Sequence, residues 1–256
     1  MTNYRTMSIR IKKGHRLYNY FNDLSIKVNN LYNTTNFFVR QVFSGIPKTP
    51  GERQQNEVYV IDTINNNVSG RSSHISSSDP YIDYYVLDHV FKTTKNTDYY
   101  SLPSHTNQHI MKEVFEAWKA FFRSRMDYSD HPDKYKGRPR PPGYSKKGGY
   151  KTITFSNQTC IIKEGKYLKL PKTRHVLNIG KLGGIGRLKE VKVVPAAGYY
   201  TVQLVMEVPA PEKVELDSSN IIGIDLGVNN LAAITNNKGL NPLIINGRVI
   251  KSINLM

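Results

Sequence analysis

A proline-rich segment at residues 128–149 divides this sequence into two parts with different patterns. The segment carries Pro132, Pro139, Pro141 and Pro142, and proline removes a backbone donor and clashes with the preceding helical turn. Because no helix can run through so many prolines, the segment predicts an extended loop. Apolar residues before it recur every three or four positions, whereas apolar residues after it tend to alternate. The sequence therefore predicts an α+β protein.

The part before the proline-rich segment predicts a helical subdomain over residues 14–127. One apolar stripe, with intervals of three or four residues, predicts a long amphipathic helix. Its members are Leu17, Tyr20, Leu24, Val28, Leu31, Thr35, Phe38 and Val42. Further helices are expected at residues 56–66, after an N-cap at Asp79, and from Ser104. The last of these carries Trp118 on its apolar face.

The remaining residues predict strands. Alternating residues at 7–12 and downstream of the loop predict a small β-barrel, built from residues 1–13 and 150–210. Residues 211–256 follow a proline-containing linker and predict a last unit of short strands.

Positive charge is concentrated in one stretch of the chain. Lys and Arg number 36 against 20 Asp and Glu, which gives a net charge of +16 and a pI of about 9.7. Counting from Lys134 to Lys192 gives 16 basic and two acidic residues, so this stretch holds +14 of the net charge. Tyrosines alternate with the cations, and cations neutralise phosphates while rings stack on bases. We therefore expect nucleic-acid binding rather than a merely solvated face.

The residues expected to contact nucleic acid are lysines, arginines and tyrosines of this stretch. They are Lys134, Tyr135, Lys136, Arg138, Arg140, Tyr144, Lys146, Lys147, Tyr150, Lys151, Lys166, Lys169, Lys172, Arg174, Lys181, Arg187, Lys189 and Lys192. Because this charge falls on strands and loops rather than on an amphipathic helix, no membrane partner is expected.

Cysteine content and hydropathy indicate the compartment. Cys160 is the single cysteine, so an internal disulfide and a cysteine-based zinc element are both excluded within these residues. The N-terminus has no apolar signal segment, and no run of about 18 apolar residues occurs. We expect a soluble protein of a bacterial-type cytosol, associated with the nucleoid.

One histidine-containing group could bind a metal. His105, His109 and Glu113 follow each other at intervals of four, which places them on one helix face where zinc could bind. We favour the alternative that they form the polar boundary of the helix, and we expect no zinc in this chain.

An acidic residue in an apolar strand is the strongest candidate for chemistry. Asp225 lies in the sequence Gly-Ile-Asp-Leu-Gly at residues 223–227, and a carboxylate buried on such a strand is costly unless a cation or hydrogen bonds hold it. It could simply accept hydrogen bonds from turn amides. ATPases of the sugar-kinase and actin class carry a similar strand followed by Thr or Ser, which binds nucleotide phosphate. Here Val228 occupies that position, so we do not expect an ATPase of this class.

The segment from Ile222 to Ala232 resembles the first motif of the RuvC-like nuclease domain in TnpB proteins. These are transposon-encoded, RNA-guided DNA endonucleases related to type V CRISPR effectors. Four other segments resemble TnpB landmarks in the same order, so the resemblance spans nearly the whole chain. They are Leu102-Pro103 before the Trp118 helix, residues 135–140, residues 155–158, and residues 246–248 with 251–254.

This resemblance implies a fold and a set of partners. It implies a wedge-type β-barrel interrupted by a helical recognition subdomain, which together hold a guide RNA and read a short motif beside a double-stranded DNA target. An RNase H-like, RuvC-like nuclease domain would begin near residue 211. Asp225 would be the first of three acidic residues that bind Mg²⁺ for DNA cleavage.

The same resemblance predicts that the nuclease domain is incomplete. No Asp or Glu follows Asp225 in this chain, so we expect a truncated domain that cannot cleave DNA alone. The alternative is a naturally shortened, non-cleaving protein that uses guide RNA to occupy and repress DNA, or an RNA-binding regulator.

Overall fold

Helices occupy the first half of the described chain, and most strands follow them. The computed structural model describes residues 2–68, 81–210, 217–227 and 230–247. The helices are α1 (Tyr18–Gly45), α2 (Gln55–Asn67), α3 (Tyr84–Thr93), α4 (Thr97–Ser101) and α5 (Ser104–Asp130). The strands are β1 (Thr2–Lys12), β2 (Ile153–Ser156), β3 (Ile161–Lys163), β4 (Tyr167–Lys169), β5 (Val176–Asn178), β6 (Arg187–Ala196), β7 (Tyr199–Pro209), β8 (Ile222–Asp225), β9 (Asn230–Asn236) and β10 (Leu243–Asn246).

The chain divides into two units, Met1–Ala210 and Pro211–Met256. The first unit contains α1 to α5 and β1 to β7, and the second contains β8 to β10.

The helices of the first unit begin and end close to where the sequence predicts. The predicted apolar stripe of α1 is largely buried: Val28, Leu31 and Val42 have no exposed surface, whereas Tyr20 is only partly buried. The predicted N-cap Asp79 lies outside the described residues. Helix α3 begins at Tyr84, and its N-cap is Asp83, whose carboxylate accepts a hydrogen bond from the Val86 amide at 2.8 Å.

Aromatic side chains form the centre of the helical part. Trp118 is fully buried, which confirms its predicted position. The rings of Phe43, Phe121 and Phe122 lie 5.2–5.8 Å from the Trp118 ring in tilted or edge-on arrangements. These large side chains hold α1 and α5 together.

The main sheet is antiparallel, with strand order β1-β7-β6-β2. One row of paired residues across it consists of Ile9, Val202, Val193 and Ile153, and the last three are fully buried. Side chains of paired residues point to the same face of a sheet. This face joins the apolar cluster that also contains Phe21 and other residues of α1 and α5.

The predicted barrel is not closed in the described part of the chain. Strands β3, β4 and β5 pair only with one another, in a separate three-stranded sheet, and leave β1 and β2 as the outer strands of the main sheet. A barrel closes only when the two outer strands of one sheet pair, directly or through further strands. Strands β3, β4 and β5 have three residues each and do not connect β2 to β1. Helices α1 and α5 cover the apolar face instead.

The second unit is an antiparallel sheet in the order β10-β9-β8. The sequence predicts that the Asp225 strand is buried on both sides, and this prediction is wrong. All four residues of β8 are exposed, including Ile222 at 66% and Ile224 at 60%. The described part of this unit contains no helix, so no element of its own covers the sheet. Asn229 of the predicted turn lies outside the described residues.

Candidate nucleic-acid interface

Residues 142–151 form a segment without helix or strand that contains one turn, at Lys147–Gly148. One face of α1 binds the backbone of this segment, which we call the strap. The Asn36 side-chain amide donates to the carbonyl oxygens of Pro142 at 3.1 Å and Gly143 at 3.0 Å. Asn33 both donates to the Ser145 carbonyl at 3.0 Å and accepts from the Ser145 amide at 2.8 Å. A carboxamide can match a peptide group in this way because it carries both a donor and an acceptor.

The same helix face continues this contact at both ends of the strap. Asn29 donates to the Lys146 carbonyl at 2.8 Å, and the Arg40 guanidinium donates to the Pro142 carbonyl at 2.7 Å. The Ser25 hydroxyl donates to the carbonyl of Lys151. The polar residues of α1 follow at intervals of three or four and therefore share one face, along which the strap runs antiparallel to the helix.

Binding of the strap backbone leaves its side chains available. Tyr144 and Tyr150 are 50% and 53% exposed, and Lys146 and Lys147 are also exposed. Arg40 lies 5.4 Å from the centre of the Tyr144 ring. The strap thus presents two rings and two ammonium groups to solvent on a backbone that is held in place.

The residues before the strap are anchored to α5 by Asp127. The Tyr135 hydroxyl donates to the Asp127 carboxylate at 2.7 Å, and the Lys134 ammonium lies 3.7 Å from it. The hydrogen bond from Tyr135 is the main cause that lowers the pKa of Asp127, and it correspondingly raises the pKa of Tyr135. Beyond this anchor, three exposed cations form no ion pair with any described residue. They are Lys136, Arg138 and Arg140.

Besides Lys134 and Tyr135, four further predicted contact residues are engaged within the fold. Lys151 pairs with Glu113 at 2.7 Å and lies 3.8 Å from the centre of the Tyr32 ring. Lys172 donates to the Leu102 carbonyl at 2.9 Å.

Lys189 pairs with Glu207 at 2.7 Å, and Lys192 pairs with Glu190 at 3.2 Å. Since these ammonium groups already have partners, they are weaker candidates for phosphate contact than the unpaired cations. The exposed predicted cations of β3 to β6 that have no ion pair within the described residues are Lys166, Lys169, Arg174, Lys181 and Arg187.

The asparagine row of α1 is the functional feature that the sequence-based prediction missed. The amphipathic helix α1 carries three asparagines on one face at intervals of four and three, Asn29, Asn33 and Asn36. Asn29 and Asn36 are buried. Buried amides require partners, so this spacing was a usable signal for an extended segment docked on the helix.

The predicted metal residues do not form a metal site in the described part of the chain. Asp225 ends β8, is exposed, and pairs with Ala233 across the sheet. No group of three His, Cys, Asp or Glu side chains suited to a metal occurs among the described residues. Because Mg²⁺ is held by several oxygen ligands and retains its waters, a single exposed carboxylate does not fit it.

Two members of the possible zinc group, His105 and Glu113, contact other side chains instead of sharing a metal ion. His105 Nδ1 lies 2.8 Å from the Ser156 hydroxyl, and Glu113 is occupied by the ion pair with Lys151. These side chains therefore connect α5 to the strands and the strap.

Comparisons with known proteins give a distant structural likeness. No family model matches this sequence, and no curated protein matches it. Among solved structures, a CRISPR-Cas12f ternary complex is similar at 12% identity and a TM-score of 0.30, over 92% of this chain and 49% of that chain. A Cas12f1–sgRNA–target DNA complex is similar at 12% identity and a TM-score of 0.22, over 98% of this chain and 59% of that one.

This chain therefore spans about half the length of the Cas12f proteins to which it is similar. In the described ranges, no helix has the length and apolarity needed to cross a bilayer.

Proposed function

We propose that this chain binds guide RNA and double-stranded DNA as the N-terminal portion of a TnpB-like RNA-guided DNA endonuclease. The observation that carries this proposal is the strap, whose peptide groups bind α1 while its cations and rings face solvent. Together with Lys136, Arg138 and Arg140, the strap forms one continuous basic stretch of chain. In this role the protein acts in the cytosol, at the nucleoid.

A docked strap suits nucleic acid for two physical reasons. Its ammonium and guanidinium groups can replace the counterions condensed on phosphates, which favours binding at low salt. Its tyrosines can stack on bases or sugars without regard to sequence. Because α1 already orders the backbone, binding has less conformational entropy left to lose.

The salt dependence of RNA binding tests this proposal. We expect log K for a structured RNA to fall against log salt with a slope of several units, at about 0.7–0.9 per phosphate contacted. The combined change Lys136→Gln, Arg138→Gln and Arg140→Gln should lower that slope by about 2–3.

The matched control removes the same charge elsewhere. Lys92, Lys95 and Lys119 are exposed on the helical part, and changing all three to Gln should leave the slope nearly unchanged. Equal slopes for both triple variants and the unaltered protein would show that the basic stretch is only a solvated face.

A second candidate function is a non-cleaving RNA-guided DNA-binding protein or an RNA-binding regulator. The observation that favours it is that Asp225 belongs to no group of three His, Cys, Asp or Glu side chains that could hold a metal ion among the described residues. Magnesium-dependent cleavage would require further acidic ligands. Both candidates bind RNA, and they differ in DNA cleavage; an RNA-binding regulator would also differ in not binding DNA.

A further inference from the structure

The small sheet of β3, β4 and β5 has one buried face and one exposed face. Its pairing register aligns Ile162, Leu168 and Leu177 in one row, and Leu168 and Leu177 are buried in the main apolar cluster. Because side chains alternate along a strand, the residues on either side of this row must point away from the core.

The exposed face consists of two further rows. Lys169 lies between Ile161 and Val176, and Tyr167 lies between Lys163 and Asn178. We call these six residues the platform. Ile161 is 57% exposed and Val176 is 36% exposed, so apolar surface flanks the Lys169 ammonium on both sides. The Tyr167 ring makes no hydrogen bond or ring contact with any described residue and is not fully buried.

The platform rests on a well-defined backbone. Glu164 and Gly165 both have positive φ, 51° and 62°, and the Lys166 amide donates to the Lys163 carbonyl at 3.0 Å to close a tight turn. Adjacent strands lie about 4.8 Å apart, so the ring on β4 lies within one strand spacing of the side chains on β3 and β5.

The Asn178 side chain is held by a backbone amide two residues further along the chain. Its side-chain oxygen accepts a hydrogen bond from the Gly180 amide at 2.9 Å. This contact uses the acceptor of the carboxamide and leaves the amino group as a donor on the exposed side. The row therefore combines a donor, an aromatic ring and a cation in that order.

We propose that the platform binds one unpaired nucleotide. The base stacks on Tyr167, the Asn178 amino group donates to an acceptor on the base edge, and Lys163 and Lys169 neutralise the flanking phosphates. Ile161 and Val176 provide apolar contact for the sugar or a neighbouring base. This inference rests on the proposed nucleic-acid binding and adds a base-contacting site outside the strap.

Charge favours a nucleic acid over a protein as the occupant. Glu164 is the one acidic residue between positions 134 and 189, whereas the platform's lysines are accompanied by Lys166, Lys172 and Arg174 nearby in sequence. A duplex does not satisfy the platform, because its bases are already stacked and paired. The occupant is therefore an unpaired nucleotide, which either an RNA or a separated DNA strand can supply.

Binding of short single strands to the full chain tests the proposal. The probes are labelled RNA and DNA oligomers of one sequence, and a blunt DNA duplex of the same length. Tyr167→Leu should weaken binding of at least one single strand by about 5- to 150-fold, the loss expected for one aromatic stack. Tyr167→Phe should retain binding, because the ring remains. Tyr4→Leu is the control, since Tyr4 is 63% exposed on β1.

The result shows whether the platform binds RNA or DNA, and it tests the platform independently of the proposed function. Loss confined to RNA or to DNA assigns the platform to that strand, whereas no loss, or equal loss for the duplex, overturns the proposal. The salt slope should stay unchanged in Tyr167→Leu, because no charge is removed, whereas the strap triple variant lowers it. If the slope falls in the strap variant but Tyr167→Leu binds normally, only the platform is refuted.

A second measurement does not depend on the folding of a variant. The unaltered chain is irradiated with an oligomer that contains 4-thiouridine, and the cross-linked peptide is identified by mass spectrometry. Cross-links at Tyr167 or its platform neighbours support the site, and cross-links confined to the strap overturn it.

Discussion

The Trp118 indole nitrogen donates a hydrogen bond to the Asn36 side-chain oxygen at 2.8 Å, and both side chains are fully buried. The amino group of the same Asn36 carboxamide donates to the carbonyls of Pro142 and Gly143. A single buried amide thus joins the aromatic core of the helical part to the backbone of the strap. Core packing and the candidate nucleic-acid interface are therefore linked through one side chain.

Replacement of Asn36 by alanine should lower both stability and RNA affinity. The change removes the partner of the Trp118 donor and of the Gly143 carbonyl, whereas the Pro142 carbonyl keeps its hydrogen bond from Arg40. We expect this to cost about 1–3 kcal/mol of the free energy of unfolding. RNA affinity should also fall, because the strap loses part of its attachment. Urea unfolding and RNA titration measure the two effects. Asn30→Ala, at an exposed position of the same helix, should change neither, and equal effects of both variants would contradict the link.

Removal of the Trp118 ring should be strongly destabilising. Trp118→Ala creates a cavity among Phe43, Phe121 and Phe122 and should cost about 3–5 kcal/mol. Trp118→Phe keeps most of the volume but loses the indole donor, so its cost should be smaller. Denaturant unfolding followed by circular dichroism measures both. A Trp118→Ala protein of normal stability that fails to bind RNA would instead indicate a stacking role for the ring.

Lowering the pH should remove the part of the free energy of unfolding that depends on the ionised Glu57 carboxylate. Burial raises the pKa of this carboxyl, but hydrogen bonds from Lys48 and the Gln54 amide outweigh it, and the pKa in the folded state lies below its ordinary value of 4.5. A depressed pKa means that the folded state favours the ionised form. The resulting stability is present above about pH 4.5 and is lost as the pH falls through the folded pKa.

The matched variant for this effect is Glu57→Gln. At pH 7 it should be less stable than the unaltered protein by about 1 kcal/mol, and the difference should vanish at low pH. Thermal unfolding from pH 7 down to pH 3 provides the measurement. A constant difference across this range would contradict the role assigned to the ionised carboxylate.

Asp225 should be dispensable for binding, and the 256-residue chain should not cut DNA. Two-metal cleavage needs several carboxylates around the ions, and Asp225 is an exposed carboxylate that belongs to no group of three potential metal ligands in the described residues. We expect this chain, with RNA, matching DNA and Mg²⁺, to bind without cleaving. Asp225→Ala should change stability by less than about 0.5 kcal/mol, as is usual for surface positions.

Gel analysis of the DNA decides this prediction. Metal-dependent cleavage that is lost in Asp225→Ala would contradict it and would require acidic ligands from elsewhere. Cleavage that persists in Asp225→Ala would indicate a contaminating nuclease.

Local patterns predicted the elements of this fold better than their arrangement. The apolar stripe of α1 has a helical period, so the helix could be placed to within a few residues. The short elements α4 and β5 were missed, because five and three residues are too few to establish a period. Alternation predicted the strands, but the predicted closure into a barrel was wrong, because closure depends on how the edges of the sheet pair.

The candidate interface could be predicted in composition but not in geometry. The concentration of charge between Lys134 and Lys192 is visible in the sequence. The docking of the strap is not, because Asn33 and Ser145 are 112 positions apart and prolines only exclude a helix. The burial of the Asp225 strand was overestimated because isoleucine-rich sequence indicates a preference for burial, not the presence of a covering element.

The pairing of β1 with β7 has a consequence for synthesis of the protein on the ribosome. Lys12 pairs with Tyr199 and Thr2 with Pro209, so β1, which precedes the other strands of its sheet, has its partner at the far end of the first unit. A nascent chain that has not reached residue 199 lacks the strand that joins β1 to β6. The helices can form early from local contacts, but the main sheet is completed only after translation of the whole first unit.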